Sequence, residues 1–148
     1  MDRSGTLLYD ADCGLCVATA TWLGERVAPS LLGLLPLQQV ATDARIAALV
    51  HGRDLAASLH FVRADGSVLD GARAALAAGR LIPILGLYGA LLDRPLGHQL
   101  LEPLYREVAS HRRRIGRLLG LPAECPLPAR TLEGGWRLSW DRRRNAAS

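Results

Sequence analysis

The sequence predicts an α/β protein in which the order βαβα is followed by ββα and then by additional C-terminal helices. Short apolar runs end in turn residues, and between them apolar residues recur every three or four positions. An Asp-Gly pair at residues 65 and 66 favours a tight antiparallel hairpin. The chain has 148 residues, about the length of one domain. We therefore expect a single domain over residues 1–148, with a helical extension from about residue 80 and an irregular tail after about residue 120.

The first half of the chain is predicted to alternate strands and helices. Thr6–Tyr9 is an apolar run rich in strand formers. A helix follows, with Asp12 as its N-cap, and Pro29 ends it. Its apolar stripe consists of Cys16, Ala20, Leu23 and Val27.

The second strand and helix are predicted from shorter signals. Leu34–Leu37 is an apolar run in which Pro36 favours an early or edge position. Thr42–Val50 then follows the helical pattern, with Thr42 as its cap and apolar residues on one face.

A hairpin and four helices complete the prediction. The two strands of the hairpin are Leu59–Arg63 and Val68–Leu69. A short helix follows at Ala72–Ala78 and is ended by Gly79. The three later helices are expected at Ile84–Leu92, Leu96–Ser110 and Arg112–Leu119.

The composition is that of a globular protein with its own core. Apolar residues make up 49% of the chain and charged residues 22%, which argues against a disordered protein. All 18 basic residues are arginine. Residues 1–74 hold 6 Arg and 8 acidic residues (net −2), whereas residues 75–148 hold 12 Arg and 6 acidic residues (net +6). The basic side of the protein is therefore C-terminal.

Cysteine usage and hydropathy indicate a cytoplasmic protein. There are three cysteines, an odd number, and Met1–Gly5 has no apolar stretch typical of a secretory signal. The longest apolar segment, 81–92, is about a dozen residues long, well short of the roughly 20 that span a bilayer. We expect no membrane span and no structural disulfide.

The chemistry is expected at Cys13 and Cys16, a Cys-x-x-Cys pair directly after a strand and at the start of a helix. A helix N-terminus offers unpaired N–H groups and about half a positive charge, which stabilises a thiolate. Cys13 is therefore the expected nucleophile. Cys16 lies on the stripe that faces the sheet, so it is the expected buried resolving thiol. Together they predict dithiol-disulfide exchange that needs no organic cofactor.

Two carboxylates next to the thiols are also candidate catalytic residues. A negative charge on Asp12 would oppose a thiolate on Cys13. Asp10, if buried at the strand end, would accept a proton from Cys16. These effects have opposite signs, so the sequence predicts tuning of protonation by Asp10 and Asp12 and no particular redox potential.

The segment Tyr9–Cys16, with its DxDCxxC signature, resembles the DCC-type thiol-disulfide oxidoreductase family, a thioredoxin-like group. The resemblance covers most of residues 6–128. It includes the hairpin with the helix start at Gly71–Leu76, a closing helix at Pro103–Arg113 and a Cys-containing tail at Cys125–Pro128.

This resemblance implies a thioredoxin-like fold and a disulfide oxidoreductase role. The implied partners are a protein or small-molecule disulfide or thiol and an electron donor or acceptor. Thioredoxins begin the strand before their hairpin with a cis-proline that holds the substrate backbone. Leu55–Ser58 contains no proline here, so that mode of docking does not carry over.

Alternative functions stay open at this point. Cys13 and Cys16 are also compatible with metal binding in a non-catalytic module, although no His or third Cys stands at ligand-pair spacing. The arginines at 112–114, 117 and 142–144 are compatible with a protein partner at a basic face or with a solvated helix end. Nucleic acid is not expected, because no aromatic residues are interleaved. Cys125 is either a third redox thiol or incidental, and His60 is expected to face solvent or a helix.

Overall fold

The computed structural model describes residues 4–86, 95–121, 129–131 and 135–137. The strands are β1 (Gly5–Tyr9), β2 (Leu32–Pro36), β3 (His60–Arg63), β4 (Val68–Asp70), β5 (Ala129–Thr131) and β6 (Gly135–Arg137). The helices are α1 (Gly14–Arg26), α2 (Ala44–Val50), α3 (Gly71–Gly79) and α4 (Pro95–Leu118). A 3-10 helix (Leu37–Thr42) precedes α2, and residues 83–86 are also helical.

The six described strands form one mixed sheet in the order β4-β3-β1-β2-β5-β6. β1 is parallel to β2 and antiparallel to β3, and β3 and β4 form the predicted hairpin. Every residue of β1 is buried, because helices cover both faces of the sheet. The predicted α/β class is confirmed: the fold is thioredoxin-like with a C-terminal helix.

The core has two halves, one on each face of the sheet, because successive side chains of a strand point to opposite sides. Leu7 and Tyr9 of β1 pack with residues of α1 and α3. Leu8 packs on the opposite face, with residues of the 3-10 helix and α2. The end of β1 is therefore held firmly between two layers of helices, directly before the cysteines.

Both N-caps that the sequence predicted are wrong by one residue. Cys13, and not Asp12, caps α1, because the Asp12 carboxylate is engaged by Gln38 instead, with Nε2 to Oδ2 3.0 Å. Asp43, and not Thr42, caps α2, and its Oδ1 accepts the N–H groups of Arg45 and Ile46 at 3.1 Å each. Thr42 belongs to the preceding 3-10 helix, which the sequence pattern did not distinguish from α2.

α4 is one continuous helix and not the two that were predicted at Leu96–Ser110 and Arg112–Leu119. No glycine or proline stands between residues 104 and 115. Ser110 Oγ donates back to the Glu107 carbonyl at 2.8 Å, so this residue does not stop the helix. In the helix predicted at Ile84–Leu92, residues 84–86 are helical, and the remainder lies outside the described residues. No described helix is long and apolar enough to cross a membrane.

The described part of the tail differs from the irregular chain that was expected. β5 pairs antiparallel with β2 and β6 pairs with β5, which extends the sheet beyond β2. Pro36 is therefore not in an edge strand. It stands at the last residue of β2, where the missing N–H interrupts no further ladder bond.

Candidate active site

Cys13 and Cys16 lie together at the junction between β1 and α1. The first-turn hydrogen bond from Val17 N to Cys13 O, 2.9 Å long, starts the helix directly at this point. The two sulfur atoms are 2.7 Å apart, and both thiols are free. The spacing of the pair therefore brings the thiols into contact, as the sequence predicted.

Two donors point at the Cys13 sulfur. The Cys16 thiol donates to Cys13 Sγ, and the Cys16 backbone N–H donates to the same atom at 3.4 Å. Both donors therefore converge on one sulfur atom.

The Cys16 thiol is held in its protonated form. Burial raises the pKa of Cys16 to about 12, and the hydrogen bond to Cys13 and the charge of Cys13 act in the same direction. The positive charge of Arg112 acts in the opposite direction but is weaker. Cys16 is thus the proton donor of the pair and Cys13 the acceptor.

The burial of the two cysteines is the reverse of the expectation. Cys13 is 1% exposed, whereas Cys16 is half-buried and packs against the edge of the core. Backbone just after α4 packs closely on the motif: a Cβ on Gly14 would lie 2.5 Å from the Leu121 carbonyl oxygen. Likewise, a Cβ on Gly116 would lie 3.2 Å from the backbone nitrogen of Leu15. Sequence spacing gave no sign of this cover.

Asp10 is buried at the end of β1, where one carboxylate oxygen accepts hydrogen bonds and the other lies near two arginines. Its Oδ1 accepts from Asp12 N at 3.0 Å and from Gln38 Nε2 at 3.2 Å. Its Oδ2 lies 3.5 Å from Arg112 Nη2 and 3.7 Å from Arg113 Nη2. The Asp10 backbone carbonyl also accepts the Cys13 N–H at 3.3 Å. Asp10 therefore links the cysteine loop to α4.

Asp12 is exposed, and Gln38 joins it to Asp10. Gln38 Nε2 donates to both carboxylates, and Gln38 Oε1 is 3.4 Å from the Ala11 N–H. Sequence reasoning missed Gln38. The available signal was its place directly after β2, because the carboxyl ends of parallel strands meet at one edge of a sheet.

Arg112 has a different role from the one the basic C-terminal half suggested. Its side chain is only 15% exposed, and its Nη2 donates to the Ala56 carbonyl at 2.6 Å as well as facing Asp10. Arg114 and Arg117 of the same cluster are exposed, as expected for a solvated helix face. The cluster is therefore divided between the site and the solvent.

Tyr105 of α4 holds the loop that precedes β3. Its hydroxyl oxygen accepts the Leu59 N–H at 2.7 Å. Burial raises the pKa of Tyr105, and a negative charge on Cys16 raises it further. The hydroxyl therefore stays protonated near the thiols.

The remaining candidates lie elsewhere. His60 is 2% exposed and its Nδ1 is 2.9 Å from Ser58 O, so of the two expected surroundings, solvent and a helix, solvent is excluded. Cys125 lies outside the described residues. Within the part of the chain that the structure describes, no group of three or more His, Cys, Asp or Glu side chains could hold a metal ion.

Comparison with known proteins agrees with this site. A family model described as DCC1-like thiol-disulfide oxidoreductase matches residues 7–118, which include Cys13, Cys16, Asp10, Asp12 and all of α4. No curated protein and no solved structure matches the chain.

Proposed function

The chain belongs to the DCC1-like thiol-disulfide oxidoreductase family, and on this premise we propose that it catalyses dithiol-disulfide exchange through Cys13 and Cys16. The observation that carries the proposal is the 2.7 Å contact between two free sulfur atoms at a helix N-terminus. That separation allows one sulfur to attack a substrate and the other to displace it.

Cys13 is the nucleophile in this mechanism. As a thiolate it attacks one sulfur of a substrate disulfide, and the substrate S–S bond breaks as the Cys13–substrate bond forms. The departing substrate thiolate takes up a proton. The two donors to Cys13 Sγ support this assignment. Because Cys13 is buried, the backbone at Leu121 that packs on the motif must move before a substrate can reach the thiol.

Cys16 resolves the mixed disulfide. It loses its proton, attacks Cys13 Sγ and displaces the second substrate thiol. The substrate disulfide is thereby reduced, and Cys13 and Cys16 are oxidised to a disulfide. The high pKa of Cys16 makes a proton acceptor necessary at this step.

Asp10 and Asp12 tune these proton transfers. Asp10 is the nearer candidate because it is buried beside the cysteine loop and its charge acts on Cys16. Asp12 acts through Gln38, which joins the two carboxylates. Arg112 counters the negative charge of both Asp10 and a Cys16 thiolate.

The exchange is proposed to take place in the cytoplasm, with a protein or small-molecule disulfide as substrate and a cellular thiol as the electron donor. An odd number of cysteines and a free thiol pair support a reducing compartment.

A redox titration in glutathione buffers tests the proposal, with the state of each cysteine measured by alkylation and mass spectrometry. We expect a reversible two-electron couple between about −120 and −270 mV, the range of dedicated exchange proteins. Cys13→Ser should abolish disulfide reduction, Cys16→Ser should trap mixed disulfides on Cys13, and Cys125→Ser is the matched control. A pair that forms no bridge at any potential, or that retains a stoichiometric metal ion, would contradict exchange and favour a metal-binding module.

A further inference from the structure

An open groove lies between the loop at residues 56–58, the beginning of α3 and one face of α4. Its volume is about 920 Å³, within the usual range for sites that bind small molecules. The charged residues that line it are Asp70, Arg73, Glu102, Arg106, Arg112 and Arg113. Four guanidinium groups and two carboxylates give the lining a net charge of +2.

The positive charge at the outer part of this groove is incompletely neutralised. Arg106 pairs with Glu102 at 3.3 Å, an exposed pair. Asp70 pairs with Arg53 at 3.5 Å, an arginine that does not line the groove. Arg73 is exposed, and it makes no ion pair within the described part of the chain. An anionic group in the groove would therefore find guanidinium groups with spare donors.

Two lining residues connect the groove to the thiol pair. Arg112 and Tyr105 line the groove, and both interact electrostatically with Cys16. Cys16 is the less buried of the two cysteines. A disulfide bound in the groove would therefore contact side chains that also act on Cys16.

We propose that this groove selects small disulfides that carry carboxylates, with Arg73 and Arg106 as the residues that pair with those carboxylates. The inference rests on the proposed exchange activity and names its substrate class. The protein dithiol supplies two electrons: the S–S bond of the dicarboxylate breaks, two carboxylate-bearing thiols leave with two protons, and Cys13 and Cys16 become a disulfide.

The test is single-turnover reduction of three disulfides of similar size by the prereduced protein. The probes are 3,3′-dithiodipropionate (dianionic), bis(2-hydroxyethyl) disulfide (neutral) and cystamine (dicationic). Rates with dithiothreitol alone correct for the intrinsic reactivity of each probe. We expect the corrected rate constants to fall in the order dianion, neutral, dication, and the preference to weaken with added salt.

Substitutions in the groove identify the residues that cause the preference for the dianionic disulfide. Arg73→Gln and Arg106→Gln should each lower the dianion-to-neutral rate ratio by about twofold to fivefold, as expected for a partly exposed charge pair. Glu102→Gln should raise the ratio, and Arg114→Gln, an exposed arginine of α4 outside the groove, should leave it unchanged. Equal ratios in all variants, or a preference for cystamine, would overturn the groove assignment. Failure to reduce any of the three probes would instead contradict the proposed exchange activity.

Discussion

Arg112 and Asp10 join the last helix of the fold to the strand that positions the cysteines. Arg112 Nη2 lies 3.5 Å from Asp10 Oδ2 and also donates to the Ala56 carbonyl at 2.6 Å. One guanidinium thus connects α4, the end of β1 and the loop before β3. Arg113 approaches the same carboxylate oxygen at 3.7 Å from a side chain that is 69% exposed.

These two neighbouring arginines are predicted to contribute unequally to stability. Arg112→Ala should lower the free energy of unfolding by about 2 kcal/mol, since it removes the less exposed of the two guanidinium groups at a buried carboxylate and leaves the Ala56 carbonyl without its donor. Arg113→Ala, the matched control, should change it by less than about 1 kcal/mol because its pair is solvated. Urea denaturation measures both, and equal losses would show that the pairing of Arg112 is not special.

Gly14 is predicted to tolerate no side chain. A Cβ there would lie 2.5 Å from the Leu121 carbonyl oxygen, so Gly14→Ala should push the backbone at Leu121 away and cost about 1–3 kcal/mol. The same change should speed alkylation of Cys13 in the folded protein, because its cover is displaced. Gly79→Ala is the control, since nothing lies within 4 Å of its added methyl group. Unchanged stability and alkylation in Gly14→Ala would contradict the packing.

Cys16 is predicted to ionise only in strong alkali. Since burial raises its pKa to about 12, the thiolate fraction should grow about tenfold for each pH unit between 8 and 11. A pulse of chloroacetamide at each pH, with modification mapped to Cys16 by mass spectrometry, should show the same slope without a plateau. A plateau near pH 9, the ordinary value for a cysteine, would refute the prediction.

His60 is predicted to make the protein less stable in mild acid. Burial lowers the pKa of His60 below 6.5, so the unfolded chain binds a proton more readily than the folded protein. Stability attributable to neutral His60 is therefore present above pH 6.5 and declines as the pH falls towards the folded pKa. The charged groups that act on it are Asp70, Arg53 and Asp54.

The stability difference between the wild type and His60→Gln should accordingly shrink or change sign as the pH falls from 7 to 5. Thermal or urea unfolding at several pH values measures this difference. His111→Gln, which alters an exposed histidine of α4, serves as the control. A difference between wild type and His60→Gln that is independent of pH would show that His60 titrates normally in the folded protein.

Local patterns were enough to predict the elements that depend on local physics. The buried run of β1, the hairpin around Gly66 and the helix after Gly71 were all predicted within a residue or two, because turn chemistry and apolar periodicity specify them. The cysteine pair was found in the same way. The break that was predicted within α4 failed because Ser110 is compatible with both a helix interior and a helix end.

The surroundings of the thiols could not be predicted in this way. Gln38, Tyr105 and Arg112 reach the site from distant parts of the chain, and their residue types are ordinary in the segments where they stand. The close packing of α4 and Leu121 on the cysteine motif depends on Gly14 and Gly116 allowing two backbones to approach closely. Such contacts are set by how elements pack, and spacing within one element carries no information about them.

The burial of Cys13 also affects how the protein responds to oxidants. Peroxide converts accessible thiolates to sulfenic acid and then irreversibly to sulfinic and sulfonic acids. A cysteine that is 1% exposed is shielded from that attack, and any sulfenic acid that forms on Cys13 is next to a thiol that can convert it to a disulfide. Burial and the neighbouring Cys16 should thus together favour reversible oxidation of Cys13 over permanent damage.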